Sequence, residues 1–431
     1  MGRYRGGAAT GASQGIRGSG AGDHGGRGER VGLRRWCARA PSCSVPGMRV
    51  VLTASTALVA LSLALGACSS PPAGEAGKGA TKDAGKDAAK VGEAPAKGAE
   101  AGGEGRPGSG EAWAWKVPAG LTAPPVPEDN PMSAVKVELG HQLFFDKRLS
   151  VDGSRSCYSC HQNQLGNADG RAKALGPGNK ELTRNTPTIW NVAFHGALYW
   201  DGRAPSLEKQ MVGAWKGGNM GVGDGIDAKA AEIGALPEYQ GRFREVFGLG
   251  EGEAVTPDHV AKAISAYERT LLCGGSAWDT NTLDGAALRG WELFRGKAAC
   301  ATCHSGPNLG DDLFHNVGIG VPKEGEGDLG RGATSKDAAD NYRFRTPTLR
   351  GVADTAPYFH DGSVADLREA VKYMASGGDR GVAGLDSNFV DRSLSDAEID
   401  DIVAFLRTLG CPNDLAVIGD QAAPGITAPL G

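Results

Sequence analysis

Two pentapeptides of the form Cys-x-x-Cys-His, Cys157-Tyr158-Ser159-Cys160-His161 and Cys300-Ala301-Thr302-Cys303-His304, lie 143 residues apart in the chain. Paired thiols followed at once by an imidazole suit covalent haem attachment. The thiols add to the two vinyl groups, and the histidine becomes an axial iron ligand. Placed on a helix, Cys157 and His161 would project from one face, four residues apart, toward the same porphyrin. One such pentapeptide could be half of a zinc site, but a zinc ribbon needs a second Cys-x-x-Cys. Two pentapeptides, each followed by a polar loop, point to two haems c and to redox chemistry.

The rest of the chain must export, tether and position those groups. Within 431 residues, Met48-Arg49 followed by an apolar run over 50–64 and then Leu65-Gly66-Ala67-Cys68 reads as a secretory signal with a lipoprotein cleavage box. Cys68 would carry the lipid, and the run of about 15 apolar residues is short of the ~20 that a bilayer span needs. The Gly- and Arg-rich residues 1–47 precede what reads as the true start, Met48. Residues 1–67 hold nine Arg and two acids. Without them, the 46 basic and 50 acidic side chains become 37 and 48, a formal −11. Such a protein would attract a basic electron donor and repel nucleic acid. Of the nine cysteines, Cys37 and Cys43 fall within 1–67; Cys273 and Cys411 are left after lipid and haem are assigned and form a candidate disulfide, with two unrelated buried thiols as the alternative.

Residues 68–111 are Ala/Gly/Lys/Glu/Pro-rich and read as a disordered tether, and 413–431 as a tail. Between them the spacing predicts helices over 135–145, from Thr256-Pro257 to Leu272, over 286–294, and after the capping box Ser395-Asp396-Ala397-Glu398. No run alternates long enough for a sheet. The expected fold class is all-α, with two haem domains over 112–275 and 276–412 and long irregular Gly-rich loops.

From Leu139 to Leu409 the chain resembles the bacterial di-haem cytochrome c peroxidase family, which includes the MauG-like enzymes. The strings that carry the likeness are Leu139-Gly140-His141-Gln142-Leu143-Phe144-Phe145-Asp146, Arg184-Asn185-Thr186-Pro187-Thr188 and Trp200-Asp201-Gly202-Arg203, then Cys303-His304-Ser305-Gly306-Pro307, Phe344-Arg345-Thr346-Pro347-Thr348-Leu349-Arg350 and Ala356-Pro357-Tyr358-Phe359-His360-Asp361-Gly362. The resemblance implies two cytochrome-c-like domains, a peroxide-reducing haem at His161 and an electron-storing haem at His304. It implies Met374 as sixth ligand of the second iron, with His360 and His315 as rivals; a thioether there raises the potential. It implies Trp200 as the stepping stone between haems, and Gln210, Asn219 and Arg345 at the reacting centre. Asn185 (side chain) with the carbonyls of Thr355 and Pro357 falls on the family's calcium site, and mixed oxygen ligands suit Ca²⁺. Hydrogen peroxide, a small cytochrome c or cupredoxin as donor, a periplasmic location with a lipid anchor in the outer membrane, and in some members a homodimer complete the expectation.

Two departures stand out. The loop 174–183, where many relatives carry a histidine that caps the first iron, has none; Pro177 stands near that place. The family's proton-transferring Glu, in a Glu-Met pair some ten residues after a Gln, is here Asn219 before Met220, with Gln210 retained. An amide cannot exchange a proton as an acid–base at neutral pH. Asp224 is the nearest candidate substitute. A di-haem electron carrier without catalysis, and a MauG-like oxidase of a partner protein, are therefore the rival readings.

Overall fold

Two crossings of helix on helix, one in each half of the chain, organise the structure, a computed structural model that describes residues 113–411 except Glu326. These residues belong to one compact unit. The signal, Cys68, the tether and the tail lie outside the described residues. No helix among those described is long and apolar enough to cross a membrane.

In the first half α1 (Ala134–Phe145) starts at Ser133, whose hydroxyl accepts from the Lys136 N–H. It packs on α5 (Pro257–Glu268), which opens on a capping box at Thr256 with Pro257 at its first position. A Cβ at Gly140 would run into the Ala263 carbonyl, so only glycine lets the two axes come this close. The sequence predicted both helices, but α5 ends at Glu268, four residues before Leu272. There the Thr270 N–H and hydroxyl both turn back to the Tyr267 carbonyl. Three further helices, α2 (Leu207–Lys216), α3 (Ile226–Gly234) and α4 (Pro237–Phe247), occupy a stretch that reads as loop from sequence. Their apolar faces (Leu207, Met211, Trp215; Ile226, Ala230, Ile233; Tyr239, Phe243) complete the first core.

The second half repeats the plan. Helix α6 (Gly285–Arg295) crosses α9 (Asp396–Arg407), and here Gly290 meets the Asp401 carbonyl as Gly140 meets Ala263. The predicted Ser395/Glu398 capping box is present at the start of α9. The five-residue α7 (Arg331–Ser335) and α8 (Leu367–Ser376) were not anticipated. The latter runs from an Asp366 cap to Gly377 in the left-handed region. The second core is built from Phe294, Phe405, Ile402, Leu406 and Leu409. Two-residue strands β1 (Phe314–His315) and β2 (Phe344–Arg345) pair antiparallel, and they are the only named strands among the described residues. An all-α class with two cytochrome-c-like halves is what the chain adopts.

Covalent and polar ties join the halves. Cys273 and Cys411 form a disulfide across 138 positions, with Cα atoms 4.9 Å apart. Asn191 braces it by bonding both the N–H and the carbonyl of Cys273. Arg184 holds Asp201 with one nitrogen and Asp328 of the second half with two others. Within the second half, Arg350 and Asp279, both fully buried, form a bidentate pair at 2.5 and 2.7 Å. The guanidinium also bonds the Pro307 carbonyl, in the loop that follows His304. Removing one partner strands a charge in the core. Asp279→Ala is therefore expected to cost about 3–5 kcal/mol, read as a lowered urea midpoint at unchanged slope.

Candidate haem and electron-transfer site

The first pentapeptide folds as one 3₁₀ turn, Cys157–Ser159, rather than as part of an α-helix. It keeps the expected geometry locally, because the His161 N–H closes an i to i+4 bond on the Cys157 carbonyl (3.0 Å). The second does the same, from the His304 N–H to the Cys300 carbonyl at 2.9 Å. Each imidazole is then fixed from behind. His161 Nδ1 lies 3.0 Å from the Asn167 carbonyl and His304 Nδ1 3.0 Å from that of Leu309. A carbonyl can only accept, so Nδ1 carries the proton and Nε2 keeps its lone pair, the tautomer an axial ligand requires. Burial lowers both histidine pKa values, so both rings stay neutral.

The four motif cysteines form no disulfide, while Cys273 and Cys411 do. Burial pushes Cys160 and Cys300 up to about 11, and Cys157 higher still. All four stand in the motif order that thioether attachment requires. In the second half they open on a cavity of about 240 Å³ whose wall includes Cys300, Cys303, His304 and Met374. The donor set, its tautomers and this cavity fit haem c.

Met374 is carried on α8 and shares that cavity with His304. Of its rivals, His315 has both ring nitrogens engaged, Nδ1 with Asp386 (2.6 Å) and Nε2 with Asp311 (3.1 Å). Cys303, Asp311 and His315 lie close enough together to chelate a cation, but Cys303 is claimed by the haem-attachment motif. His360 also lines the cavity, stacked face to face on Phe344 at 3.5 Å. Burial pulls its pKa down to about 4.

Trp200 sits where both halves meet. Its indole N–H donates to the Asn185 carbonyl (2.9 Å), its own carbonyl accepts from the Arg345 N–H (2.8 Å), and its ring lines the second cavity. The Asn185 side-chain N–H₂ is spent on the Arg171 carbonyl (2.7 Å), which leaves Oδ1 for another partner. Thr355 and Pro357 lie on the loop that reaches Asn185 through the His360 carbonyl, at 2.8 Å from the Asn185 N–H.

Gln210 is half-buried on α2, where its carbonyl takes the Tyr199 hydroxyl (2.9 Å). Asn219 is half-buried three residues past the end of that helix. Asp224 is fully exposed and paired with Lys216 at 3.2 Å, a carboxylate in solvent rather than in a pocket.

Sequence reasoning missed a buried group beside the second cavity. His195 lies 2.6 Å from Asp312 through Nδ1 and within 3.0–3.3 Å of Arg345 NH1. Arg345 itself, expected at the peroxide-reducing centre, lines the cavity of the second pentapeptide. It also missed Glu268, buried at the end of α5 with Oε2 lacking a partner; burial pushes its pKa up to about 8. A lone histidine in a loop and an acid late in a helix carry no pattern that would have singled them out.

Family models for di-haem cytochrome c peroxidase and for cytochrome c match residues 134–287 and 287–410. The chain is 39% identical to the methylamine utilization protein MauG of Methylorubrum extorquens, over 66% of this chain and 81% of that one. It is 37% identical to the cytochrome-c peroxidase IdrP1 of Denitromonas iodatirespirans, over 71% and 89%. A solved MauG-like protein associated with microbial copper homeostasis superposes with a TM-score of 0.65 at 33% identity, over 71% of this chain and 97% of that one. With paired haem-attachment turns set in two repeated helix crossings, the chain belongs to the di-haem cytochrome c peroxidase family that also contains MauG.

Proposed function

We propose that the protein reduces hydrogen peroxide to water at a haem on His161, drawing electrons through a haem on His304 and Met374 from a small cytochrome c or cupredoxin. The observation that carries the reading is that His304, Met374 and Trp200 share one cavity wall, while Trp200 is hydrogen-bonded into the first half. Haem held at the first site by Cys157, Cys160 and His161 would supply the iron for peroxide reduction, which takes up two electrons and two protons per peroxide. The protein's part is positional. His161, neutral and held by Asn167, fixes the proximal side; Gln210 can orient peroxide; Trp200 offers a π-system between the halves. Asn219 can donate a hydrogen bond to the oxidant but cannot shuttle its proton, so protons must come through water or another acid.

Calcium at Asn185 Oδ1 and the carbonyls of Thr355 and Pro357 would stiffen the loops around Trp200. An exported form, anchored through a lipid on Cys68 and facing the periplasm, rests on the sequence of residues 48–68 alone.

Steady-state oxidation of a reduced small cytochrome c by peroxide tests the reading. Turnover well above background is expected. A rate within tenfold of background would leave a di-haem electron carrier, the reading that the amide at Asn219 favours. Oxidation of a partner protein without cytochrome turnover would instead indicate MauG-like chemistry, against which Met374 argues.

A further inference from the structure

Two buried donors on the wall of the second cavity have no partner in the protein. Arg345 is 7% exposed, and its NH1 lies within donating distance of His195 Nε2 (3.3 Å), Asp312 Oδ1 (3.4 Å) and the Thr346 carbonyl (3.3 Å). Its Nε bonds nothing, and neither does the hydroxyl of Thr346, which is 5% exposed. Both residues line the cavity that holds Cys303 and His304. Leaving a buried donor unmade costs roughly 1–3 kcal/mol, so two adjacent orphans on residues that line one cavity call for an acceptor from outside the polypeptide. A guanidinium N–H beside a hydroxyl matches a carboxylate.

We infer that Arg345 Nε and Thr346 Oγ1 bind a propionate of the haem attached at Cys300 and Cys303, with His195 and Asp312 positioning the guanidinium. The inference rests on haem loading of this family, not on peroxide turnover. His195 donates its Nδ1–H to Asp312, which leaves Nε2 to accept from Arg345 (3.3 Å) and the Asn308 amide (3.4 Å) and pins the guanidinium from the first half of the chain. The internal repeat offers a comparison. Asn185-Thr186-Pro187-Thr188 corresponds to Arg345-Thr346-Pro347-Thr348, and the Thr186 hydroxyl is likewise buried without a partner. The residue before it is a neutral amide, however. At this position of the repeat the first site therefore has the hydroxyl without a cation. A cation beside a porphyrin favours its ferrous state, so Arg345 would raise the second haem's potential, as a stored electron requires.

The test uses the full chain with both haems attached, titrated electrochemically and followed by resonance Raman in the propionate-bending region. Arg345→Gln is expected to lower the potential of the His304 haem and shift its propionate band, leaving the His161 haem unchanged. Arg345→Lys should recover much of the potential. Thr346→Val, isosteric but without the donor, should shift both readouts in the same direction by less, and Thr346→Ser should restore them. If Arg345→Gln does not retain the second haem, the Thr346 pair carries the test alone. Wild-type potential and band in both Arg345→Gln and Thr346→Val would overturn the inference. So would a potential shift in Arg345→Gln with no band shift in either, since a nearby charge would then act without contact. A peroxidase reading that failed would show in turnover and leave these spectra untouched.

Discussion

Replacing Asn219 by Glu is expected to raise peroxide turnover by at least tenfold, within the roughly 10²–10⁴-fold range of a well-placed general acid–base. Heterolysis of a peroxide moves a proton from the oxygen that binds iron to the one that leaves. A carboxylate can accept and return that proton; an amide can hold the oxygen but not the proton. Asn219 is half-buried and makes no hydrogen bond among the described residues, so a longer acidic side chain would not have to break one. Asp224, paired with Lys216 in solvent, is badly placed to do this work already. Asn219→Gln is the control, because it adds the same length without an acid. Equal rates for the Glu and Gln variants would mean that proton transfer is not what limits this site.

The second large effect is electronic. Met374→His should lower the potential of the second haem by a sizeable part of the roughly 0.8 V that axial ligands span, with both haems still covalently attached. A thioether favours ferrous iron, whereas an imidazole favours ferric. Turnover with a cytochrome donor should fall in parallel, because the store can no longer be filled. Spectroelectrochemistry reads the potential, and pyridine haemochrome confirms two haems per chain. An unmoved potential would remove Met374 as ligand and return His360 to consideration, since His315 already has both nitrogens engaged.

The haem attachment points were legible because their chemistry demands adjacency: two thiols and an imidazole must reach one porphyrin, so they cannot be dispersed. Helix ends marked by local hydrogen bonds were legible too, as at Thr256-Pro257 and Ser395/Glu398. What escaped was set by tertiary context. α2 to α4 hold short apolar faces among glycines and charges, and only burial against α1 and α5 makes their helical state pay. The buried neighbours of Arg345 escaped for the same reason. His195 and Asp312 are 117 positions apart, and Arg345 lies 33 beyond Asp312, so no local pattern joins them. Glu268 escaped because its interest lies wholly in its desolvation.

The Cys273–Cys411 bridge has a consequence for how the chain matures. It encloses Cys300 and Cys303, which must stay reduced until a haem reaches them. An oxidant acting early could pair either of these with Cys273, and thiol–disulfide exchange would then be needed to release it. Cofactor ligation before oxidation removes that hazard, because a thioether sulfur can no longer enter exchange. The polypeptide therefore rewards one order of events, porphyrin first and cross-link last.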